Sequence, residues 1–338
     1  MKRWYGLTLA AVVAAAAVPA LIGGSAAFRQ LAGVSPHWIL LMLGLVLVGW
    51  NLNAWRLRLL LGEKGRNLRH HQAFSTVLAT ECGFNATPGG SGAPFILAAM
   101  LKRHQVRASE ASAVFVIDQM TDLLFFLCIL PALLLYGLNH YLDFAPTWLL
   151  GAIGATQVAL IITAFSLFRY HRLALKRSGA LLERLGLKRS VRLRWARSQL
   201  RFNNAVRTTL RLSPYRLMLT FVLCAGHWLL RYSVLYVAVI ALGHPIDWGY
   251  TFFVQMMSMA AGHLTLLPGG AGGTELSSAA LLAPYLTKST AAAAILIWRC
   301  ITYYFYLLAG GIVLMGVAGW RFWQRQVPGQ RQIREIES

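Results

Sequence analysis

Five ionisable side chains, Glu81, Asp118, Asp122, Glu275 and Arg299, lie inside long apolar stretches of this 338-residue chain. A charge at the centre of a bilayer costs at least ~2.5–3.5 kcal/mol on insertion scales, so each needs a counter-charge or a wet cavity. Asp118 and Asp122 are four residues apart and share one helix face. Arg299 follows Pro268 by 31 residues and Asp118 follows Pro88 by 30, a spacing that predicts an ion pair between Arg299 and Asp118 or Asp122. Such a pair either holds a helix bundle together or serves as a gate or proton-coupled switch. The residues alone leave both open.

Two glycine clusters supply a second kind of chemistry. Pro88-Gly89-Gly90-Ser91-Gly92 and Pro268-Gly269-Gly270-Ala271-Gly272 lie 180 positions apart, each between an apolar stretch and a short helical pattern. Glycine lets the backbone turn sharply and come close to a ligand. The helix that follows offers free amides and a positive dipole end to a phosphate or carboxylate. Pro94 suits the start of the first such helix. Thr274 is expected to cap the second, with Glu275 in its first turn. Asn85, Thr87, Ser91, Thr265 and Thr274 add hydrogen-bonding groups around the breaks. The competing reading is structural, the glycines only allowing helices to pack closely.

The elements that position these residues follow from composition. The formal net charge is +21, yet only 13% of residues are charged and 57% are hydrophobic, with a mean hydropathy of +0.55. Soluble domains average about 25% charged residues. A nucleic-acid binder needs no repeated apolar spans, and 11 Trp, 12 Tyr and 16 Phe exclude a disordered basic chain. Cys82, Cys128, Cys224 and Cys300 sit in apolar segments without paired spacing, so buried thiols are expected rather than zinc ligands or disulfides. His227 and His263 lie within spans and read as hydrogen-bonded side chains rather than metal ligands.

The reading is an all-α polytopic membrane protein. Runs of roughly 20 apolar residues give six full spans: Leu7–Phe28, Trp38–Leu61, Ala111–Leu138, Trp148–Phe168, Leu217–Leu242 and Ala291–Trp320. The first, preceded by Lys2 and Arg3, also resembles a signal peptide, and a retained helix is the favoured reading. Ala73–Leu101 and Thr251–Leu286, each broken by a glycine cluster, form two broken or re-entrant helical hairpins. Basic residues cluster before the first span, at Arg56, Arg58, Lys64, Arg66 and Arg69, at Lys102, Arg103 and Arg107, and after the last span. Arg169–Arg216 carries 14 Lys/Arg against the single acid Glu183, while Asn139–Pro146 and Gly243–Trp248 carry neither Lys nor Arg. By the positive-inside rule both termini are cytoplasmic, and the two hairpins enter from opposite sides. Residues 1–338 thus form one integral membrane domain: repeat one at about 36–138, a basic cytoplasmic loop at about 169–216, repeat two at about 217–320, and a cytoplasmic tail at 321–338. Leu181, Leu182, Leu185, Val191, Leu193 and Trp195 predict an amphipathic helix in the loop, lying on an anionic leaflet. Inverted repeats with broken helices point to a transporter's substrate site.

Several blocks together resemble a known family. Ser35-Pro36-His37-Trp38, Asn53-Ala54-Trp55-Arg56-Leu57-Arg58-Leu59-Leu60, Ala86-Thr87-Pro88-Gly89-Gly90-Ser91-Gly92 and Asp118-Gln119-Met120-Thr121-Asp122 belong to the likeness. Leu267-Pro268-Gly269-Gly270-Ala271-Gly272-Gly273-Thr274-Glu275 and Arg299-Cys300-Ile301-Thr302-Tyr303-Tyr304 complete it. The chain resembles the flippase-like transmembrane domain of bacterial lysylphosphatidylglycerol synthetases and their stand-alone relatives. The resemblance implies a membrane portion that moves an aminoacylated lipid, with aminoacyl transfer belonging to a soluble C-terminal domain. This chain ends 18 residues after the last span, so lipid lysylation by it alone is not expected. Family members tend to carry Glu and Arg soon after the first cluster, whereas here Gly92-Ala93-Pro94-Phe95 follows.

The expected function is an inner-membrane lipid translocase for an anionic or phosphate-linked lipid, not itself an enzyme, in the bacterial cytoplasmic membrane. The alternative is a membrane-embedded partner or enzyme of lipid or glycolipid modification. The candidate path comprises Glu81, Asn85, Asp118, Asp122, Thr274, Glu275, Arg299 and Tyr303, with Pro88, Gly89, Gly90 and Gly92 and Pro268, Gly269, Gly270 and Gly272. No cofactor is expected. Membrane lipids are the expected partners, with a lipid-modifying enzyme or glycosyltransferase as a further one and no nucleic acid; oligomeric state stays open.

Overall fold

The computed structural model describes residues 2–141, 204 and 213–326. Among these the chain is helical: α1 (Lys2–Ala32), α2 (Pro36–Leu60), α3 (Glu63–Asn67), α4 (His70–Ala86), α5 (Ala93–Leu101), α6 (Ala108–Tyr141), α7 (Pro214–Ala241), α8 (Trp248–Leu264), α9 (Gly273–Leu282), α10 (Lys288–Arg299) and α11 (Phe305–Gln326). Cys300–Tyr304 joins the last two as a π-helical segment.

Among the described residues, five stretches are long and apolar enough to cross a membrane: Ala10–Ala32, Pro36–Leu60, Ala108–Leu133, Pro214–Ala241 and Lys288–Val317. They match five of the six expected spans. Trp148–Phe168, the basic loop up to residue 212 with its amphipathic pattern, and the tail beyond residue 326 lie outside the described residues. Both glycine-broken stretches form pairs of shorter helices, α4 with α5 and α8 with α9.

Local sequence explains where the helices begin. Pro36 and Pro214 each open a helix just after a serine, in the first turn where a missing N–H costs nothing. Asp247 caps α8, its carboxylate accepting from the Tyr250 amide at 2.8 Å. Asp247→Ala should therefore lower stability by about 1 kcal/mol, read as a small fall in melting temperature in detergent; an unchanged melt would remove the cap from the account. α1 is interrupted at Gly24 (φ 57°).

Packing builds a shared core. α2 lies along α7, α1 along α10, α4 along α11 and α8 along α9. Trp50 on α2 stacks on Phe305 at 5.3 Å and meets Tyr306 edge-on at 4.7 Å, tying α2 to α11. Small residues allow α1 its close approach, with Ala27, Ala292 and Ala293 fully buried together. Tyr304 adds a hydroxyl donated to the Val12 carbonyl at 2.6 Å.

Within the last span the ladder slips to a π pattern at Cys300–Tyr304. One expectation is corrected here: of the four thiols only Cys82 and Cys224 are buried, while Cys128 and Cys300 are exposed.

Candidate functional site

The two glycine turns fold alike and meet. Gly89 and Gly90 have φ of 57° and 70°, and Gly269 and Gly270 have 62° and 66°. Pro88 and Pro268 pair as an isolated antiparallel bridge, so the tips of both hairpins touch inside the bundle.

The amides at these turns have internal partners. Gly92 N–H donates to Thr87 Oγ1 at 2.8 Å, and Gly272 N–H donates to Glu275 Oε2 at 2.6 Å. Gly90, Ser91, Gly270 and Ala271 donate to carbonyls of their own turns. These amides are thus not offered to a phosphate, because nearby side chains and carbonyls take them first. The cap of α9 is Gly272, with Glu275 reaching back to it, rather than Thr274. Thr274 is fully buried inside the first turn, and its hydroxyl has no hydrogen-bond partner.

Apart from the Lys64–Glu110 pair at the start of α6, the ion pairs among the described residues form three groups. Arg56 on α2 lies 2.8 Å from Asp118 Oδ1, as an ion pair through Nε, and its Nη1 donates to Asp122 Oδ1 at 2.7 Å. Asp122 also accepts from the Trp228 indole at 2.9 Å and from the Cys224 thiol at 3.3 Å. Arg231 on α7 faces Glu81 at 3.3 Å and stacks over the rings of Tyr306 and Trp228 at 4.6 and 5.4 Å. Arg299 donates through Nε to Glu275 and through Nη2 to the Gly269 carbonyl at 2.9 Å. Its guanidinium lies 4.7 Å from the centre of the Tyr303 ring.

The expected pairing of Arg299 with Asp118 or Asp122 is therefore wrong. The packing of α2 beside α6 gives both aspartates to Arg56, and the first turn of α9 gives Glu275 to Arg299. Arg56 is not a headgroup marker at the end of a span. It is 2% exposed and holds the acidic pair. Arg231, at mid-span in an apolar run, is a partner that attention to acids and Arg299 passes over. Its signal is the same one that singles out Arg299, an isolated charge far from either end of a span.

Glu81, Asp118 and Asp122 open onto a cavity of about 500 Å³ between α2, α4, α5, α6, α7 and α8. Asp118 is 33% exposed there, against 2% for Arg56, so the carboxylates face the opening and the guanidinium stands behind them. Asn53, Gln119, His227 and His263 add polar groups, and Phe84, Leu97, Phe115, Phe126 and Met256 supply apolar wall. His227 is buried, with Nδ1 3.1 Å from the Gly49 carbonyl. Asp118 lies ten residues into α6, about 15 Å along it at 1.5 Å per residue, inside the apolar stretch Ala108–Leu133.

Asn85, Arg299 and Thr302 lie apart from that opening, around a second cavity of about 10 Å³ that Arg231, Tyr232, Gln255, Met259 and Trp298 also line. Glu275 and Tyr303 stand behind Arg299, both fully buried. Arg231 borders both cavities.

Comparison with known proteins agrees with this membrane architecture. The profile of a family described as lysylphosphatidylglycerol synthase TM region matches residues 4–310. A UPF0104 membrane protein from Archaeoglobus fulgidus is 21% identical over 291 residues, covering 82% of this chain and 86% of the relative.

Proposed function

The chain belongs to the lysylphosphatidylglycerol synthase transmembrane-region family, and from that premise we propose that it is a translocase for a phosphate-linked lipid. The observation that carries the reading is the mostly apolar cavity of about 500 Å³ with a charged wall of Glu81, Asp118, Asp122, Arg56 and Arg231. Apolar walls suit acyl chains, and one charged wall suits a headgroup that could not rest in hydrocarbon unaided. Two guanidinium groups, Arg56 and Arg231, face three carboxylates, so the wall carries one excess formal negative charge. That balance favours a headgroup bearing an ammonium beside its phosphate over a purely anionic one.

Within this reading the two guanidiniums have different tasks. Arg56 is paired with Asp118 and Asp122 and orients them. Arg231 has a single carboxylate contact, at 3.3 Å, and keeps donors for a phosphate, whose oxygens match the guanidinium fork. Movement would be passive or ion-coupled, the protein acting as a carrier rather than a catalyst. The distribution of Lys and Arg supports an orientation with both termini cytoplasmic. Residues 36–138 and 217–320 read as an inverted repeat. The matching turns support this, and so does the Pro88–Pro268 pairing, since an antiparallel pair has the two-fold character that an axis between repeats requires.

The test is lipid movement in vesicles. Purified protein in liposomes containing fluorophore-labelled phosphatidylglycerol or phosphatidylethanolamine should move one of them to the leaflet where an added quencher reaches it. Arg231→Ala should slow that movement about tenfold or more, because hydrogen bonds to a charged group contribute ~1.5–3 kcal/mol. Arg231→Lys should recover part of the rate. No movement of either lipid by the wild-type protein would overturn the reading, as would full activity of Arg231→Ala.

A further inference from the structure

The three carboxylates of the open cavity are not equally provided for. Asp122 accepts from Arg56 Nη1, the Trp228 indole and the Cys224 thiol. Glu81 accepts from Arg231 Nη1. Asp118 has the charge of Arg56 beside it and no directed hydrogen bond. Arg56 Nε lies 2.8 Å from Asp118 Oδ1, yet its buried N–H has no hydrogen-bond partner. Arg56 Nη2 donates to the Asp118 backbone carbonyl rather than to the carboxylate. Asp118 is also the most open of the three, its side chain 33% exposed against 18% for Glu81 and 14% for Asp122. With two guanidiniums for three carboxylates, the excess negative charge falls on Asp118.

The other groups around the cavity do not neutralise it. On its own helix stands Asp122, and α4 brings Glu81, both of the same sign. From α7 come Cys224, engaged by Asp122, His227, turned to the Gly49 carbonyl, Arg231, engaged by Glu81, and Tyr232. α8 brings His263, edge-on to Phe84, and α5 brings no titratable side chain. Asn53, one turn before Arg56 on the same wall, has a buried Oδ1 without a donor. A carboxylate in a mostly apolar cavity takes up a proton when nothing else balances its charge, and releases it when a cation arrives.

We propose that Asp118 makes the protein a proton-coupled exchanger, protonated when the cavity is empty and releasing that proton when a lipid ammonium takes its place. The inference rests on the translocase reading and adds to it a coupling ion and a direction. The exchange balances: a carboxylic acid and a lipid ammonium become an ion pair, and the O–H proton passes to water on the side where the lipid enters. At the other face a proton from water returns to the carboxylate and frees the ammonium. Arg231 keeps its charge throughout and holds the phosphate. One lipid crosses in one direction for each proton in the other, so the lipid moves toward the more acidic side. Where the outer face of the membrane is the more acidic, the lipid is exported.

Leaflet ratios test this. The protein is reconstituted in phosphatidylcholine vesicles holding a trace of phosphatidylethanolamine labelled on an acyl chain, with potassium and valinomycin keeping the membrane potential at zero. A gradient of one pH unit should enrich the label about tenfold in the leaflet on the acidic side, because a one-for-one exchange carries that ratio across. Labelled phosphatidylglycerol, which has no ammonium, should show no such enrichment. Asp118→Asn has no proton to release and should lose the response to the gradient, while Asp118→Glu should recover it. A second measurement serves should Asp118→Asn not fold: wild-type protein in weakly buffered detergent should acidify the solution on binding short-chain phosphatidylethanolamine, and not on binding short-chain phosphatidylglycerol. Lipid that moves in the wild type without responding to the gradient overturns the coupling and leaves the translocase reading standing. Enrichment that persists in Asp118→Asn overturns the assignment to Asp118. Proton release without lipid movement overturns the translocase reading and leaves the exchange. Absence of both overturns both.

Discussion

Arg299→Ala should leave little folded protein. Arg299 is 2% exposed and its partner Glu275 is fully buried, so truncation strands a carboxylate with no water to receive it. Breaking a buried ion pair from one side typically costs ~3–5 kcal/mol. The loss extends further here, because Arg299 also holds the Gly269 carbonyl and packs over Tyr303. Fluorescence-detected gel filtration of heated samples should show a fall in melting temperature of roughly 10 °C or more. Arg299→Met combined with Glu275→Gln should regain over half of that loss. The double change removes both charges together, and glutamine keeps an oxygen for the Gly272 amide that Glu275 now caps. A single variant that melts like the wild type would show that the pair is not needed to hold the second turn.

Gly269→Ala should destabilise far more than Gly89→Ala, although the two glycines have nearly the same backbone, at φ of 62° and 57°. The left-handed conformation costs an alanine ~1–2 kcal/mol at either site. At Gly89 that is the whole effect, since a Cβ there would meet nothing within 4 Å. At Gly269 the added carbon would clash with the Cδ2–Cε2 edge of the Tyr303 ring, a further ~1–3 kcal/mol of overpacking. The expected totals are therefore about 1–2 kcal/mol for Gly89→Ala and about 2–5 kcal/mol for Gly269→Ala. In a Tyr303→Ala background the excess at Gly269 should disappear. Equal melting of the two alanine variants in the wild-type background would contradict the packing of Tyr303 against the second turn.

These two contrasts mark how far the sequence could be read. Spans stood out because each is a long apolar run, and hydrocarbon leaves a backbone little choice but helix. The turns stood out because proline and glycine punctuate such runs. The partners of the charges did not, since which carboxylate a guanidinium reaches depends on which helices pack together. Arg56 looks like a residue at the edge of a membrane until α6 is laid beside α2. Amides after the glycines looked available until Thr87 and Glu275 were seen to fold back on them. A π segment leaves no mark in Cys300-Ile301-Thr302-Tyr303-Tyr304, because one slipped hydrogen bond is set by neighbours and not by composition.

The pairing of Pro88 with Pro268 constrains how such a protein can diversify. Each proline is held in register by the other, across 180 positions of chain. One residue inserted in the first turn would carry Pro88 past its mate and leave the second turn without its contact, even though its own sequence had not changed. The two loops can therefore lengthen only in concert. Among relatives, the lengths of the two glycine turns should vary together or not at all.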